Sequence, residues 1–406
     1  MKVLIADLFS GAAIEEMKSA GVEVVYNHQL AGDSLKEALA NEVPQVLVVR
    51  STKVTADIIQ ACPPLEVIIR AGAGVDNIDI SEASNRGIYV ANCPGKNSVA
   101  VAELVMGHIL CVDRRIAEGV NLIKQGKWAK GKFTESLGIK GRKLGIIGLG
   151  AIGREVAKRA LSFDMEVCGT DPFVTPEQAA ALNIQYFATP EEVARESDIL
   201  TFHVPSTAST KGMINSKFVS LCKENVVILN TARGDLTNEE ELLQCLEQRP
   251  NMWYACDVLQ GEPAGKEADF VSALGQHPRV YATHHIGAST KQSENAIGQE
   301  ALRIILKYNS TRTVDLGNLV NLQKQTQAQF SVIMRHFGRE GAFAALLSQL
   351  KDSNCKVLEV ENKVFRDSAS FSASVNVQCG DKAALESIAA GFNGNPDVIH
   401  CAVVNL

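Results

Sequence analysis

At 406 residues, with 46% hydrophobic and 21% charged side chains, the chain is too long for one core and too apolar for a disordered one, so two or three globular domains are expected. A formal net charge of -6 offers no basic face to nucleic acid or to an anionic membrane, and neither is expected as a partner. Ten cysteines with no CxxC pair and no zinc-type spacing exclude a disulfide scaffold and give no metal site. Asp7 falls too early for a secretory leader, so the expected compartment is the cytosol.

Taken in chain order, residues 1–98 alternate short apolar runs (VLIA, VEVVY, QVLVVR, EVIIRA, IYVAN) with helix-compatible segments, the pattern of a parallel β/α unit. Helical spacing of Val101, Leu104, Val105, Ile109 and Val112 predicts one long helix from Val99 to about Gln125. A second β/α series starts at Lys143 (KLGIIGLG, MEVCGTD, ILTFHVP, VVILNTAR, WYACDVL, VYATHHIG), its strands apolar on both faces as buried parallel strands must be. A helix pattern runs from after His285 to about Tyr308, and 311–327 lacks a period and reads as a linker. The remainder, 328–406, reads βαββαβ. The predicted fold is therefore α/β: two doubly wound, Rossmann-like parallel-sheet domains, 1–98 with 286–310 and 99–285, followed by a ferredoxin-like module.

The strongest local signal is Gly148-Leu149-Gly150-Ala151-Ile152-Gly153, placed between an apolar strand and a helix. Gly148 permits a tight turn, Gly150 lets backbone approach a diphosphate, and Gly153 permits close helix packing; the helix start then offers free N–H groups to the anion. Asp171, at the end of the next strand, suits the ribose hydroxyls and repels a 2′-phosphate, which selects NAD over NADP.

Hydride transfer from a hydroxy acid needs a base, an orienting partner and a cation. Arg233 in NTARGD, Glu262 in LQGEP and His285 in THHIGAST each follow a strand of the second lobe, the edge where open α/β sheets bind ligands. In the first lobe, the turn holding Ala73 and Gly74 offers N–H groups to a carboxylate. Arg50 and Arg70 end two strands where both can meet one phosphate, and Asn97 adds a polar contact. The ligand so described is a small anionic 2-hydroxy acid.

The blocks RAGAGVDNID, NCPGKNSVAVAEL, GIIGLGAIGREVA, HVPST, ILNTARGD, CDVLQGEP and HHIGAST, in that order, resemble the D-2-hydroxyacid dehydrogenase family over essentially the whole chain, and in particular its members that act on phosphoglycerate. The resemblance implies NAD-dependent oxidation of 3-phospho-D-glycerate to 3-phosphohydroxypyruvate, on the way to serine. It makes His285 the acid/base, Glu262 its hydrogen-bonded partner and Arg233 the cation. His203, Val204, Pro205, Thr231 and Ala232 would line the cofactor cleft, and Asp257 would face the nicotinamide amide. Where the family has proline before the catalytic histidine this chain has His284, leaving two adjacent candidates; aligning IGAST favours His285. The C-terminal module resembles a regulatory ACT domain, implying a homodimer or homotetramer, but Arg335-His336-Phe337-Gly338-Arg339-Glu340-Gly341 lacks the proline of the usual effector loop. The alternatives are a glycerate or hydroxypyruvate reductase, which would not need both Arg50 and Arg70, and a non-enzymatic NADH-sensing corepressor.

Overall fold

The computed structural model describes residues 1–263, 268–322, 327–338, 341–366 and 370–406, in two compact units, Met1–Asn321 and Leu322–Leu406. Two parallel sheets build the first unit. One contains β1 (Lys2–Ile5), β2 (Glu23–Tyr26), β3 (Val46–Val49), β4 (Val67–Arg70) and β5 (Tyr89–Asn92), in the order β2-β1-β3-β4-β5. Every residue of β3 is buried. Val46 and Val48 face a core completed by Ile297, Ala301 and Ile305 of the helix Lys291–Thr311, and Leu47 with Val49 faces another with Leu35, Leu39 and Ile58. Alternation along a strand thus serves a helix layer on each side, which is why these runs carry no polar residue.

The second sheet contains β6 (Lys143–Ile147), β7 (Glu166–Thr170), β8 (Gln185–Tyr186), β9 (Ile199–Phe202), β10 (Val227–Asn230), β11 (Trp253–Cys256) and β12 (Val280–Ala282). Its order is β12-β11-β10-β9-β6-β7-β8, all neighbours parallel, so the strand order reverses between β6 and β9. A crevice opens at such a point beyond the carboxyl ends of the strands.

Two expectations need correction. The single helix over 99–125 is two, Ser98–Arg114 and Ile116–Lys124, because Arg115 takes a left-handed conformation, φ +51. Its side chain secures the break: Nε donates to Glu118 at 2.8 Å, Nη1 to the Lys132 carbonyl at 3.0 Å, and the guanidinium sits 5.4 Å from the Phe133 ring centre. The linker expected over 311–327 does not begin at 311. Val314 and Leu319 are buried in the first-lobe core, Leu319 bridges Ala91, and the Val320 N–H donates to the Val90 carbonyl at 3.0 Å. This stretch covers the free edge of β5, a role with no helical or strand period to announce it. Residues 323–326 of the expected linker lie outside the described ones.

The second unit is a four-stranded antiparallel sheet of β13 (Phe330–Phe337), β14 (Lys356–Val364), β15 (Ser370–Gln378) and β16 (Val398–Asn405), ordered β14-β15-β13-β16. Helices Ala342–Asp352 and Lys382–Phe392 bury Leu346, Leu350, Leu385 and Ala389 against Val332, Met334, Ala373 and Val375. This is the βαββαβ arrangement expected from the pattern. Of the loop singled out there, Arg339 and Glu340 lie outside the described residues.

Candidate active site

At the crevice, the turn after β6 divides its work among three glycines. Gly148 has φ +99, and a Cβ there would lie 2.5 Å from the His203 carbonyl oxygen. A Cβ on Gly153 would lie 2.0 Å from the Gly148 carbonyl oxygen, so helix and strand touch through that position. Around Gly150, by contrast, a Cβ would meet nothing within 4 Å: its neighbourhood is open. Gly150 is the N-cap of the helix Ala151–Ser162, and no side chain caps it, which leaves the first N–H groups, those beside Ala151 and Ile152, to a ligand. Asp171 reaches back from the end of β7, its carboxylate accepting from the Leu149 N–H and the Phe173 N–H, each at 2.8 Å.

The opposite wall follows β9 and β10. His203 Nε2 lies 3.0 Å from the Thr201 hydroxyl, while its Nδ1 is buried and unpartnered, and burial drives the imidazole down to about 3. Val204 and Pro205 continue this wall, and Val204 Cγ1 would lie 3.0 Å from a Cβ on Gly148. Past β10, the Ala232 N–H donates to Asn230 Oδ1 at 3.0 Å, and the neighbouring Thr231 hydroxyl is buried with no partner among the described residues. Asn97 Oδ1 and the Ser98 hydroxyl, at the start of Ser98–Arg114, are equally unmatched. Buried polar atoms are normally paired, so this set around one crevice marks a place built for a polar ligand, and with an open, uncapped glycine turn it fits a dinucleotide.

Arg233, Glu262 and His285 follow β10, β11 and β12, three neighbouring parallel strands, and therefore lie along one edge of the sheet. Glu262 Oε1 is 2.6 Å from His285 Nδ1. A carboxylate on Nδ1 fixes the ring so that Nε2 faces outward. Of the two adjacent histidines it is His285 that has this partner. Asp257, 1% exposed, holds the loop beneath: its carboxylate accepts from the Thr283 hydroxyl at 2.6 Å and from the N–H groups of Ile286 and Gly287 at 2.8 and 2.7 Å. A place for Asp257 at the nicotinamide amide would be a second use of a group already engaged with this loop.

From across the crevice, the first lobe presents its own cations. Arg233 Nε donates to Asp76 at 2.8 Å, and Arg233 Nη2 lies 1.9 Å from where a Cβ on Gly74 would stand. Arg70, the last residue of β4, folds over Gly72, where a Cβ would come within 1.6 Å of its Nη1. Arg70 Nε is buried without a partner among the described residues; burial, then the nearby charges of Arg233 and Arg50, lower this guanidinium to about 10. Arg50 completes the group, held to Glu294 at 2.8 Å. The N–H groups of Ala73 and Gly74 donate to no acceptor among the described residues. Three guanidinium groups beside turn amides without acceptors among the described residues have the chemistry to hold an anion. The supports were not singled out in the sequence: Asp76, Glu294, and Asp7, whose carboxylate accepts from the N–H groups of Arg50, Ser51 and Thr52 at 2.7, 3.2 and 3.1 Å. Asp76 alone had a signal, standing two residues past Gly74.

Comparison with known proteins places the chain in a family. Residues 106–287 match the family described as D-isomer specific 2-hydroxyacid dehydrogenase, NAD binding domain. A D-3-phosphoglycerate dehydrogenase of Methanocaldococcus jannaschii is 33% identical over 361 residues, 89% of this chain and 67% of that one. The pig enzyme of the same name is 38% identical over 331 residues, 80% of this chain; the chain spans only 60% of that relative's length. Among solved structures, the NAD+-bound 3-phosphoglycerate dehydrogenase of Entamoeba histolytica superposes with a TM-score of 0.66 at 28% identity, covering 79% of this chain and 99% of that one. With its glycine turn at a strand-order reversal, its Glu262–His285 pair and its cluster of arginines, the chain belongs to the D-isomer specific 2-hydroxyacid dehydrogenase family.

Proposed function

We propose that the chain oxidises 3-phospho-D-glycerate at C2 to 3-phosphohydroxypyruvate with NAD, a step toward serine. The observation that carries this reading is the gathering of Arg50, Arg70 and Arg233 at one end of the first-lobe sheet, more cationic charge than a simple hydroxy acid requires. In this reading His285 Nε2 takes the C2 hydroxyl proton, and Glu262 on Nδ1 stabilises the imidazolium. Arg233 and the Ala73 and Gly74 amides hold the carboxylate, while Arg50 and Arg70 hold the phosphate. Bound NAD supplies the hydride acceptor, held through the Gly148–Gly153 turn, Asp171 and the His203–Pro205 and Thr231–Ala232 walls.

The C-terminal βαββαβ unit has the sheet order of an ACT-like regulatory and assembly module, which supports that role for it. A homodimer or homotetramer fits the helix Ile116–Lys124, which leaves Ile116, Val120 and Ile123 exposed. Among the described residues no helix is long and apolar enough to cross a membrane, and a cytosolic enzyme is the reading adopted.

NAD-linked assays with 3-phosphoglycerate and with D-glycerate, on the parent and on Arg70→Ala, test the substrate. Losing charged hydrogen bonds of ~1.5–3 kcal/mol should lower kcat/KM for 3-phosphoglycerate by about 10- to 150-fold. D-Glycerate should change by less than about threefold, having no phosphate for Arg70 to hold. An equal loss for both acids removes the phosphate site, and turnover of D-glycerate alone supports the reductase alternative.

A further inference from the structure

The turn that carries His285 is strained: at φ +52, His285 adopts a left-handed conformation that L side chains rarely take. Something must over-determine it. Asp257 does so from below, with its main-chain oxygen accepting from the His285 N–H at 2.8 Å and its carboxylate accepting from Ile286 and Gly287. Gly287 allows this close approach, since a Cβ would lie 3.0 Å from Asp257 Oδ2 and press on the carboxylate. The same carboxylate has one further donor from outside the turn, the Thr283 hydroxyl, 2.6 Å from Asp257 Oδ1.

A hydroxyl carries one hydrogen. Two acceptors compete for it, the Asp257 carboxylate at 2.6 Å and the Cys256 carbonyl at 3.4 Å, and with the hydrogen on the nearer, charged one the Thr283 oxygen accepts from His108 Nε2 at 3.2 Å. His108 is 5% exposed on the helix Ser98–Arg114, and donor counting makes it the Nε2–H tautomer. Burial, opposed by the Asp257 charge, keeps this imidazole below the ordinary histidine range and so neutral. Donors thus converge on Asp257: His108 donates to Thr283, Thr283 donates to the carboxylate, and the N–H groups of the turn donate to it from the other side of the chain of bonds.

We propose that His108 is a positioning residue: through Thr283 it orients the Asp257 carboxylate, and thereby sets the turn that aims His285 at the substrate. This rests on His285 being the acid/base, as proposed above. Asp257 and His285 follow β11 and β12, while His108 comes from a helix on the sheet's face, so the device links the packing layer to the reacting group.

The test uses the full chain with His108→Leu, His108→Gln and Thr283→Val. Removing one buried hydrogen bond should lower kcat about five- to tenfold, with KM for NAD and for the hydroxy acid within about twofold. His108→Gln, whose Nε2–H can reach the same oxygen, should return kcat to within about twofold of the parent, and Thr283→Val should match His108→Leu. Parent-like kcat in His108→Leu, or equal impairment in both His108 variants, overturns the proposal. If His108→Leu does not fold, Thr283→Val decides: it breaks the same chain, and parent-like kcat there overturns it. A second readout needs no substrate. Hydrogen exchange of the 283–287 segment should quicken in His108→Leu and not in His108→Gln; unchanged exchange sinks the positioning role alone, whereas a parent without turnover on any 2-hydroxy acid sinks the functional reading alone.

Discussion

Replacing Gly150 by alanine separates what a glycine turn does for folding from what it does for binding. In the folded chain a Cβ at 150 meets nothing within 4 Å, and φ is −69, which any L residue accepts. Alanine is a poorer N-cap than glycine by a few tenths to about 1 kcal/mol, but it also reduces unfolded-state entropy, worth ~0.4–1 kcal/mol in the opposite direction. The two nearly cancel, so Tm should move by no more than a few degrees. Binding is another matter, because the new methyl group stands where the diphosphate must approach the first N–H groups of the helix. Losing one such charge-assisted hydrogen bond costs ~1.5–3 kcal/mol, which weakens NADH by about 10- to 150-fold. Gly148→Ala and Gly153→Ala should do the reverse, lowering Tm before affinity can be read, since their Cβ atoms would sit 2.5 and 2.0 Å from main-chain oxygens. Thermal unfolding alongside NADH fluorescence titration reads both effects. A Gly150→Ala protein that binds NADH like the parent would refute the placement of the diphosphate, and one that unfolds early would refute the claim of open space.

Two further outcomes follow from the same geometry. Gly74→Ala puts a methyl group 1.9 Å from the present position of Arg233 Nη2, so that guanidinium must move; kcat/KM for the hydroxy acid should fall roughly 10- to 100-fold while NADH affinity holds, and equal loss of both rejects the assignment of Arg233 to the substrate. The folded-state value of His203, about 3, lies below its ordinary 6.5, so the unfolded chain binds the extra proton as pH falls: its contribution is fully present above about 6.5 and is lost below it, amounting to ~2 kcal/mol by pH ~5. Urea denaturation near pH 7 and pH 5 should show that loss in the parent and less of it in His203→Gln, and identical pH slopes would exclude the effect.

The sequence shows those parts of this protein in which one residue answers to one local demand. The glycine turn is legible because tight turning, an open approach and close packing each forbid a side chain at a fixed offset. Buried parallel strands such as VLVV are legible because both their faces are covered. Arg115 is not, because Ile116, Val120 and Ile123 continue the apolar spacing of the preceding helix while the chain has already turned at φ +51. Residues 314–321 are illegible for the opposite reason: they have no period, and their order comes from the free edge of β5, distant in sequence. The supports of the site share that difficulty. Glu294 lies 244 residues from Arg50, and Asp76 lies 157 from Arg233, so only the fold reveals which acid serves which base.

Those pairings also set what the anion site can hold. The acids beside Arg233 and Arg50 are themselves wet: the side chains of Asp76 and Glu294 are 68% and 49% exposed, so each pair is worth little and yields readily to a competing anion. Arg70 differs. No carboxylate pairs with it among the described residues, its Nε is buried and unmatched there, and burial, with the nearby charges of Arg233 and Arg50, lowers it to about 10. A buried, unpaired cation is a standing cost to the fold. That cost is relieved by whatever anion binds, so a ligand carrying both carboxylate and phosphate gains twice, displacing weak partners from two arginines and supplying the missing one to the third. In the proposed reading an unphosphorylated acid gains only at Arg233 and leaves Arg70 as it was. Discrimination between the two acids would then rest on the arginine whose ligand-free state is worst, and that is the residue to remove when substrate choice is tested.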